Sequence, residues 1–255
     1  MKQILVLILL FFSISMLLSQ DLNITENYKK AVKLYNEKKY ENALEEFLIV
    51  SDSGIEQADL YFDIGNCYFR LNNLGKAILY YKRALHLSPL HKEAAKNLKL
   101  AYSLRKDKQD IEEEFFINET ITNFFKVLPL DALAIVLLTI FIFIVLIINT
   151  LIIRYKGREK SIPLLWLTIF IVFFIGTAVL SSWKWNNYKN NREAVLLDAT
   201  AISYSGPGSD YTRLFTIHEG MDFDVEKVQE NWSLIKLKNG MGGWIETSSY
   251  AKVVE

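Results

Sequence analysis

A recurrence at 34 residues constrains this chain more than any other feature. Gly65, Tyr68, Phe69, Leu74, Ala77, Tyr81 and Ala84 are answered 34 positions earlier by Ala31, Leu34, Tyr35, Tyr40, Ala43, Phe47 and Val50. Within the better copy, Ile64 and Tyr68 lie one turn apart, and Ala77, Tyr81 and Ala84 follow i, i+4, i+7. Each copy is therefore two helices, each with one apolar stripe. Small residues at Gly65 and Ala77 let the two axes approach, bulky Tyr61, Tyr68 and Tyr81 fill the flanks, and Pro89 stops the second helix. One hairpin cannot bury both stripes, so the copies must stack.

Numbered from Ala58, the stretch 58–89 carries Tyr61, Ile64, Gly65, Tyr68, Ala77, Tyr81, Ala84 and Pro89 at positions 4, 7, 8, 11, 20, 24, 27 and 32. It resembles the tetratricopeptide repeat (TPR), and an all-α TPR solenoid is expected over 20–110. Its parts are repeats at 24–57 and 58–91 and a capping helix at 92–106, where Leu98 and Tyr102 match Ile64 and Tyr68. A coincidental amphipathic bundle would share the 3.6-residue period but not the longer recurrence.

Before the repeats, 1–19 has one cation, Lys2, then the apolar run 4–18. This reads as a secretory signal cleaved after Ser19, an uncleaved anchor being the alternative. At 51 % apolar the chain is rich for a soluble protein. Two uncharged stretches explain it. Residues 132–153 (22) and 162–182 (21) are each long enough, at about 1.5 Å per residue, to cross a hydrocarbon core of roughly 30 Å. The connection 154–161 begins RYKGREK, with four cations and one anion, which marks the cytoplasmic side. Trp183, Trp185 and Tyr188 read as an interfacial belt, and the cations Lys184, Lys189 and Arg192 run against that sidedness. The expected arrangement is a two-helix transmembrane hairpin in a bacterial inner membrane, with both flanking domains on the periplasmic side. The linker 111–131 alternates acids with Phe115, Phe116, Phe124 and Phe125, fitting either an interfacial helix or a strap on the last repeat helix.

From Ala194 the pattern changes to short β runs: AVLL, AISY, LFTI, DFDVEKV, NWSLIKL, GGWI, AKVV. Asn239-Gly240 signals a two-residue hairpin, and five or six strands in about 60 residues make a small all-β barrel. With SGPGSDY, HEG, ENW and NGMGGWI, the stretch 190–255 resembles a bacterial SH3-like domain. Trp232, Trp244 and Tyr250 form either an aromatic groove for peptide or glycan, or core.

The order of signal, repeat pair, hairpin and β domain, with ADLYFDIGNCYFRLNNLGKAILYYKRALHLSP and AAKNLKLAYSLRKD, resembles the BatE-like family, the E component of the Bacteroides aerotolerance (Bat) operon. The resemblance implies a membrane-associated scaffold with von Willebrand A-type partner proteins and a MoxR-type ATPase, in oxidative or envelope stress. A tether that grips peptidoglycan and recruits a client is the alternative.

The TPR resemblance also implies a concave face built from each repeat's first helix. That places Asp59, Phe62, Asn66, Phe69 and Arg70 inward in the second repeat, and Tyr28, Val32 and Tyr35 in the first. Asn66 and Asn97, 31 residues apart, match the paired asparagines of peptide-clamping members. Each amide offers a donor and an acceptor to a peptide backbone, or else only bonds neighbouring helices. Phe62 stands where a carboxylate clamp needs a lysine, so an apolar peptide is expected.

Nothing in the sequence points to catalysis. His86, His91 and His218 have no metal or triad spacing, the single Cys67 reads as core filler, and no cofactor or metal is expected. Balanced charge, 29 basic against 29 acidic, gives no pull toward nucleic acid. The spans carry no ionisable group, which disfavours transport.

Overall fold

A computed structural model of the chain describes residues 25–107, 130–154 and 161–254. The expected signal at 1–19, nearly all of the linker 111–131 and the loop between the apolar helices lie outside these residues. The chain divides into two compact units, one joining the helical repeats to the C-terminal β module, the other containing the apolar helices.

In the first unit, α1 (25–36), α2 (Tyr40–Asp52), α3 (Ala58–Arg70), α4 (Leu74–Leu87) and α5 (Lys92–Leu104) follow in order. The 34-residue recurrence extends to the backbone. Lys38 and Asn72, 34 positions apart, both take a left-handed conformation, with φ of 62° and 58°. The bonds Lys39 N to Leu34 O and Asn73 N to Tyr68 O close the two turns in the same way. Asn73 also accepts from Lys76 N, capping α4. Ala31, Ala43, Phe47, Ile64, Ala77 and Tyr81 are buried in one core. A Cβ at Gly65 would lie 2.7 Å from the Tyr81 ring, so the close axial approach depends on glycine there.

The β module is a seven-stranded antiparallel sheet in the order β3-β2-β6-β5-β4-β1-β7. Its strands are β1 (Glu193–Leu196), β2 (Thr200–Tyr204), β3 (Arg213–His218), β4 (Asp222–Gln229), β5 (Trp232–Lys236), β6 (Gly242–Glu246) and β7 (Tyr250–Lys252). Seven strands exceed the expected five or six because the short terminal runs β1 and β7 pair with each other. The Asn239-Gly240 turn also differs from expectation. Leu237 N bonds Met241 O, so the loop has three residues and Gly240, at φ +86°, supplies its left-handed position.

This sheet packs on the repeats through charge. Asp222, fully buried, accepts from Arg105 Nη1 at 2.6 Å, Lys238 Nζ at 2.7 Å and Lys82 Nζ at 3.2 Å. Lys82 also pairs with Glu193, and the Arg105 guanidinium lies 4.0 Å from the Tyr102 ring centre. Around this cluster, Glu219 accepts from Gly75 N at the start of α4, and Arg83 donates to Lys252 O. Asp107 binds both His218 Nδ1 and His218 N. A Cβ on Gly75 would stand 2.7 Å from Leu196 O, so the sheet is pressed onto helix backbone.

The second unit contains α6 (Leu130–Arg154) and α7 (Ser161–Lys189), which pack on each other with Phe143 stacked on Phe170 at 5.6 Å. Both are long and apolar enough to cross a membrane. Elsewhere their apolar side chains are exposed, Ile135 at 64 % and Val172 at 69 %, a pattern that a core helix of a soluble protein would not show. Thr139, Thr150, Thr168, Thr177 and Ser181 each donate to a carbonyl three or four residues earlier, so their hydroxyls need no outside partner.

Burial raises the Asp222 pKa, but Lys82, Lys238 and Arg105 outweigh it and hold the carboxyl well below its ordinary 3.8. Its stabilising contribution is therefore present above pH 3.8 and is lost as pH falls through the lower folded value. Asp222→Ala leaves the Arg105 guanidinium without a carboxylate and Lys82 with Glu193 alone, and should cost about 3–5 kcal/mol. Thermal denaturation of the detergent-solubilised chain checks it, with exposed Asp224→Ala expected to cost under about 0.5 kcal/mol.

Candidate functional site

Helix α3 sets Asp59, Asp63, Asn66 and Arg70 along one face, at i, i+4, i+7 and i+11. Three of them are tied across the repeats. Asp63 accepts from the Tyr28 hydroxyl on α1 at 2.7 Å, and Arg70 lines one cavity with Tyr35 of the same helix. Asp59 meets His91 Nε2 at 3.1 Å, and Asn66 Oδ1 accepts from Asn97 Nδ2 at 2.8 Å, both toward α5. The result is a polar ladder, acidic at one end and cationic at the other, floored by Phe62 and Phe69.

Between the rungs lies a cavity of about 250 Å³ lined by Tyr35, Asn66, Phe69, Arg70, Asn97 and Leu100. That is smaller than the roughly 300–1,000 Å³ typical of small-molecule pockets, and suits one side chain of a peptide. Asn66 Oδ1 accepts a second bond, from the buried Tyr81 hydroxyl at 2.9 Å. Among the described bonds the asparagine pair thus keeps the Asn66 amide hydrogens and the Asn97 carbonyl oxygen for a ligand, one donor group and one acceptor. The amides bond neighbouring helices and still face the cavity, so the two readings of the sequence are not exclusive.

The structure gathers five of the residues expected in this groove, Tyr35, Asn66, Phe69, Arg70 and Asn97, around one cavity. Asp59 and Phe62 lie at His91, whose ring is 4.9 Å from that of Phe62, and Tyr28 is committed to Asp63. Leu100 and Asp63 escaped the sequence reading. Leu100 stands three residues beyond Asn97 and Asp63 three before Asn66, so helical spacing from the asparagines would have found both. Burial raises the Asp63 carboxyl above its ordinary range, against the lowering effect of the Tyr28 hydrogen bond.

In the β module the aromatic trio is divided. Outward positions alternate along paired strands: Trp232 faces Glu246, and Leu234 faces Trp244. Trp232 and Trp244 are half-buried on this outer side, where Trp232 packs edge-on against Tyr204 at 5.5 Å. Tyr250 does not join them. It packs on Phe223 at 5.5 Å and bonds Ser233 Oγ inside the sheet's core. The cause is the 3₁₀ turn Thr247–Ser249, which resets the strand alternation before β7. A second cavity, about 440 Å³, is lined by Asn231, Trp232, Glu246, Thr247 and Ser248.

The histidines and the cysteine have structural partners. His91 caps α5 by accepting from Ala94 N, and His218 is held by Asp107 and by Lys106 at 2.8 Å. Cys67 is fully buried and burial pushes its thiol up to about 12, far from a nucleophile's range.

Among known families, the tetratricopeptide repeat matches residues 58–90. A comparison with curated proteins finds no match.

Asn66→Ala removes the acceptor of both the Tyr81 hydroxyl and the Asn97 amide, and should cost about 1–3 kcal/mol. Denaturant unfolding checks this, and Asn97→Ala, which leaves the Tyr81 bond intact, should cost less.

Proposed function

We propose that this chain is a membrane-anchored interaction scaffold whose concave repeat surface holds an extended peptide of a partner protein. The observation that carries it is the cavity between α1, α3 and α5, where apolar walls meet an amide pair and the Arg70 guanidinium. The peptide would place an apolar side chain against Tyr35, Phe69 and Leu100, bond its backbone to Asn66 and Asn97, and turn an anionic group toward Arg70. The chain acts by binding, without catalysis or a cofactor.

The two apolar helices form the anchor. The repeats and the β module meet through buried ion pairs, so both occupy one compartment, which fits an even number of crossings between them. The cationic loop at 154–160 favours the cytoplasm for the bend and therefore the periplasmic side of the inner membrane for the remainder. The likeness of the module order to the BatE-like family supports a place in a Bat-type assembly with von Willebrand A-type proteins and a MoxR-type ATPase.

A second reading has its own observation. Trp232 beside Asn231, Thr247, Ser248 and Glu246 joins an aromatic face to hydrogen-bonding groups, the chemistry that holds a sugar. On that reading the SH3-like module grips peptidoglycan and the groove recruits a client.

Crosslinking in native membranes followed by mass spectrometry tests the scaffold. Arg70→Glu, at an exposed position, should leave the fold intact and weaken partner recovery about tenfold, roughly 1.5 kcal/mol or more. Unchanged recovery of every partner would overturn the groove. Loss of retention on insoluble wall by Trp232→Ala, with partner recovery unchanged, would establish the second reading.

A further inference from the structure

The Trp232 cavity has a frame of fixed parts and a lining of unused ones. Its frame begins with strand pairing, since Trp232 at the start of β5 stands opposite Glu246 at the end of β6. Directly paired residues share a face of the sheet, so the indole and the carboxylate leave the same side with their Cβ atoms about 5 Å apart. Two turns close the end. Residues 230–231 connect the paired Gln229 and Trp232, and the 3₁₀ turn Thr247–Ser249 follows Glu246. Thr247 N donates to Asn231 O at 2.8 Å and ties one turn to the other. Thr247 Oγ1 is bonded to Ser233 Oγ, Ser249 Oγ donates to Glu246 O, and Tyr204 packs edge-on against the indole. A site held this way exists before its ligand arrives.

The groups that line it are otherwise idle. Among the described residues, the side chains of Asn231, Glu246 and Ser248 make no hydrogen bond or ion pair with the chain. The lining holds one carboxylate, one aromatic ring and no cation. Glu230, exposed beside Asn231, adds a second negative charge at the same end of the sheet.

Charge chooses between ligands. A neutral sugar would stack on Trp232 and bond the polar groups, but it would gain nothing from a carboxylate without a counter-charge. A cation gains twice. Its bond to Glu246 is charge-assisted, and an indole attracts a cation within about 6 Å of its centre, a reach that the cross-strand pairing allows. One cationic side chain does not fill 440 Å³, which leaves room for the peptide unit that bears it, beside the Asn231 amide and the Ser248 hydroxyl.

We propose that the Trp232 cavity binds a lysine-type side chain of a peptide, its ammonium held between the Glu246 carboxylate and the Trp232 ring. The proposal rests on the second reading's premise that this cavity holds a ligand, and puts a primary amine in place of a neutral sugar as what it recognises. The amine belongs to a protein or to the peptide part of the wall, two sources with one chemistry.

The experiment uses the full chain carrying 5-fluorotryptophan, in a polyoxyethylene detergent that has neither sugar nor charge. Of its five tryptophan signals by fluorine NMR, the one absent from Trp232→Phe reports the cavity. Nα-acetyl-lysine methylamide is titrated beside its Nε-acetylated, neutral counterpart and the trisaccharide of N-acetylglucosamine. The lysine compound should shift the Trp232 signal and bind at least about tenfold more tightly than the neutral one, and Glu246→Gln should remove most of that difference. Glu246 is exposed and its side chain unbonded, so this variant keeps the fold, which the other tryptophan signals report. Equal binding of the two lysine compounds overturns the ammonium site. Preference for the trisaccharide, unchanged in Glu246→Gln, overturns it and leaves the sugar site of the second reading standing. A Trp232 signal that none of the three moves overturns the proposal together with that reading's use of the cavity. Where lysine binds, insoluble wall separates the sources: retention lost when the wall's free amines are acetylated assigns the amine to the wall peptide, and equal retention or none assigns it to a protein.

Discussion

The buried carboxylate of Asp222 is the point on which the union of repeats and β module depends. Three cations from three places converge on it: Lys82 from the middle of α4, Arg105 from the residue after α5, and Lys238 from the β5–β6 turn. The helix stripes close around Gly65, Ala77 and Tyr81 without this cluster, and the sheet adds Val195 and Val253 to the same core. Without it, however, Lys82 and Arg105 would be charges in an apolar seam. Breaking one partner of such a cluster costs far more than the cluster adds, so it acts chiefly to specify which surfaces meet. The second helix of the second repeat is thereby covered by the sheet, and the first helices are left to form the groove.

That division of faces organises function. Helix α4 faces the sheet through Gly75, Ile78 and Lys82, while α3 turns Asn66, Phe69 and Arg70 to the cavity. A groove backed by a clamped α4 keeps its shape, and a preformed surface loses less on binding than one that must be ordered first. The polar ladder has the same effect, since Tyr28, His91 and Asn97 each fix one residue of α3.

The repeats were legible because their signal is local and periodic: the 34-residue spacing predicts the helix pairs and the small residues at the crossing, and the structure adds matching left-handed turns at Lys38 and Asn72. The union of repeats and sheet was not. Lys82 sits between Tyr81 and Arg83 and reads as an ordinary solvated lysine, and its partner Asp222 is 140 residues away. Charge pairs at that separation leave no periodic trace. The division of the aromatic trio was hidden for another reason: alternation assigns faces only within one strand, and the 3₁₀ turn before Tyr250 restarts the count. Leu100 lies one helical turn beyond Asn97, within reach of helical spacing from that residue.

The placement of the ion cluster also orders events during synthesis. Helices α4 and α5 emerge long before β4, and both apolar helices are made in between. Until the last quarter of the chain arrives, Lys82 and Arg105 have no carboxylate and the flank of α4 stays open. The repeats can therefore begin to form early but reach their final state only after β4 has been made. A product cut short before Asp222 keeps an uncovered cationic seam along α4.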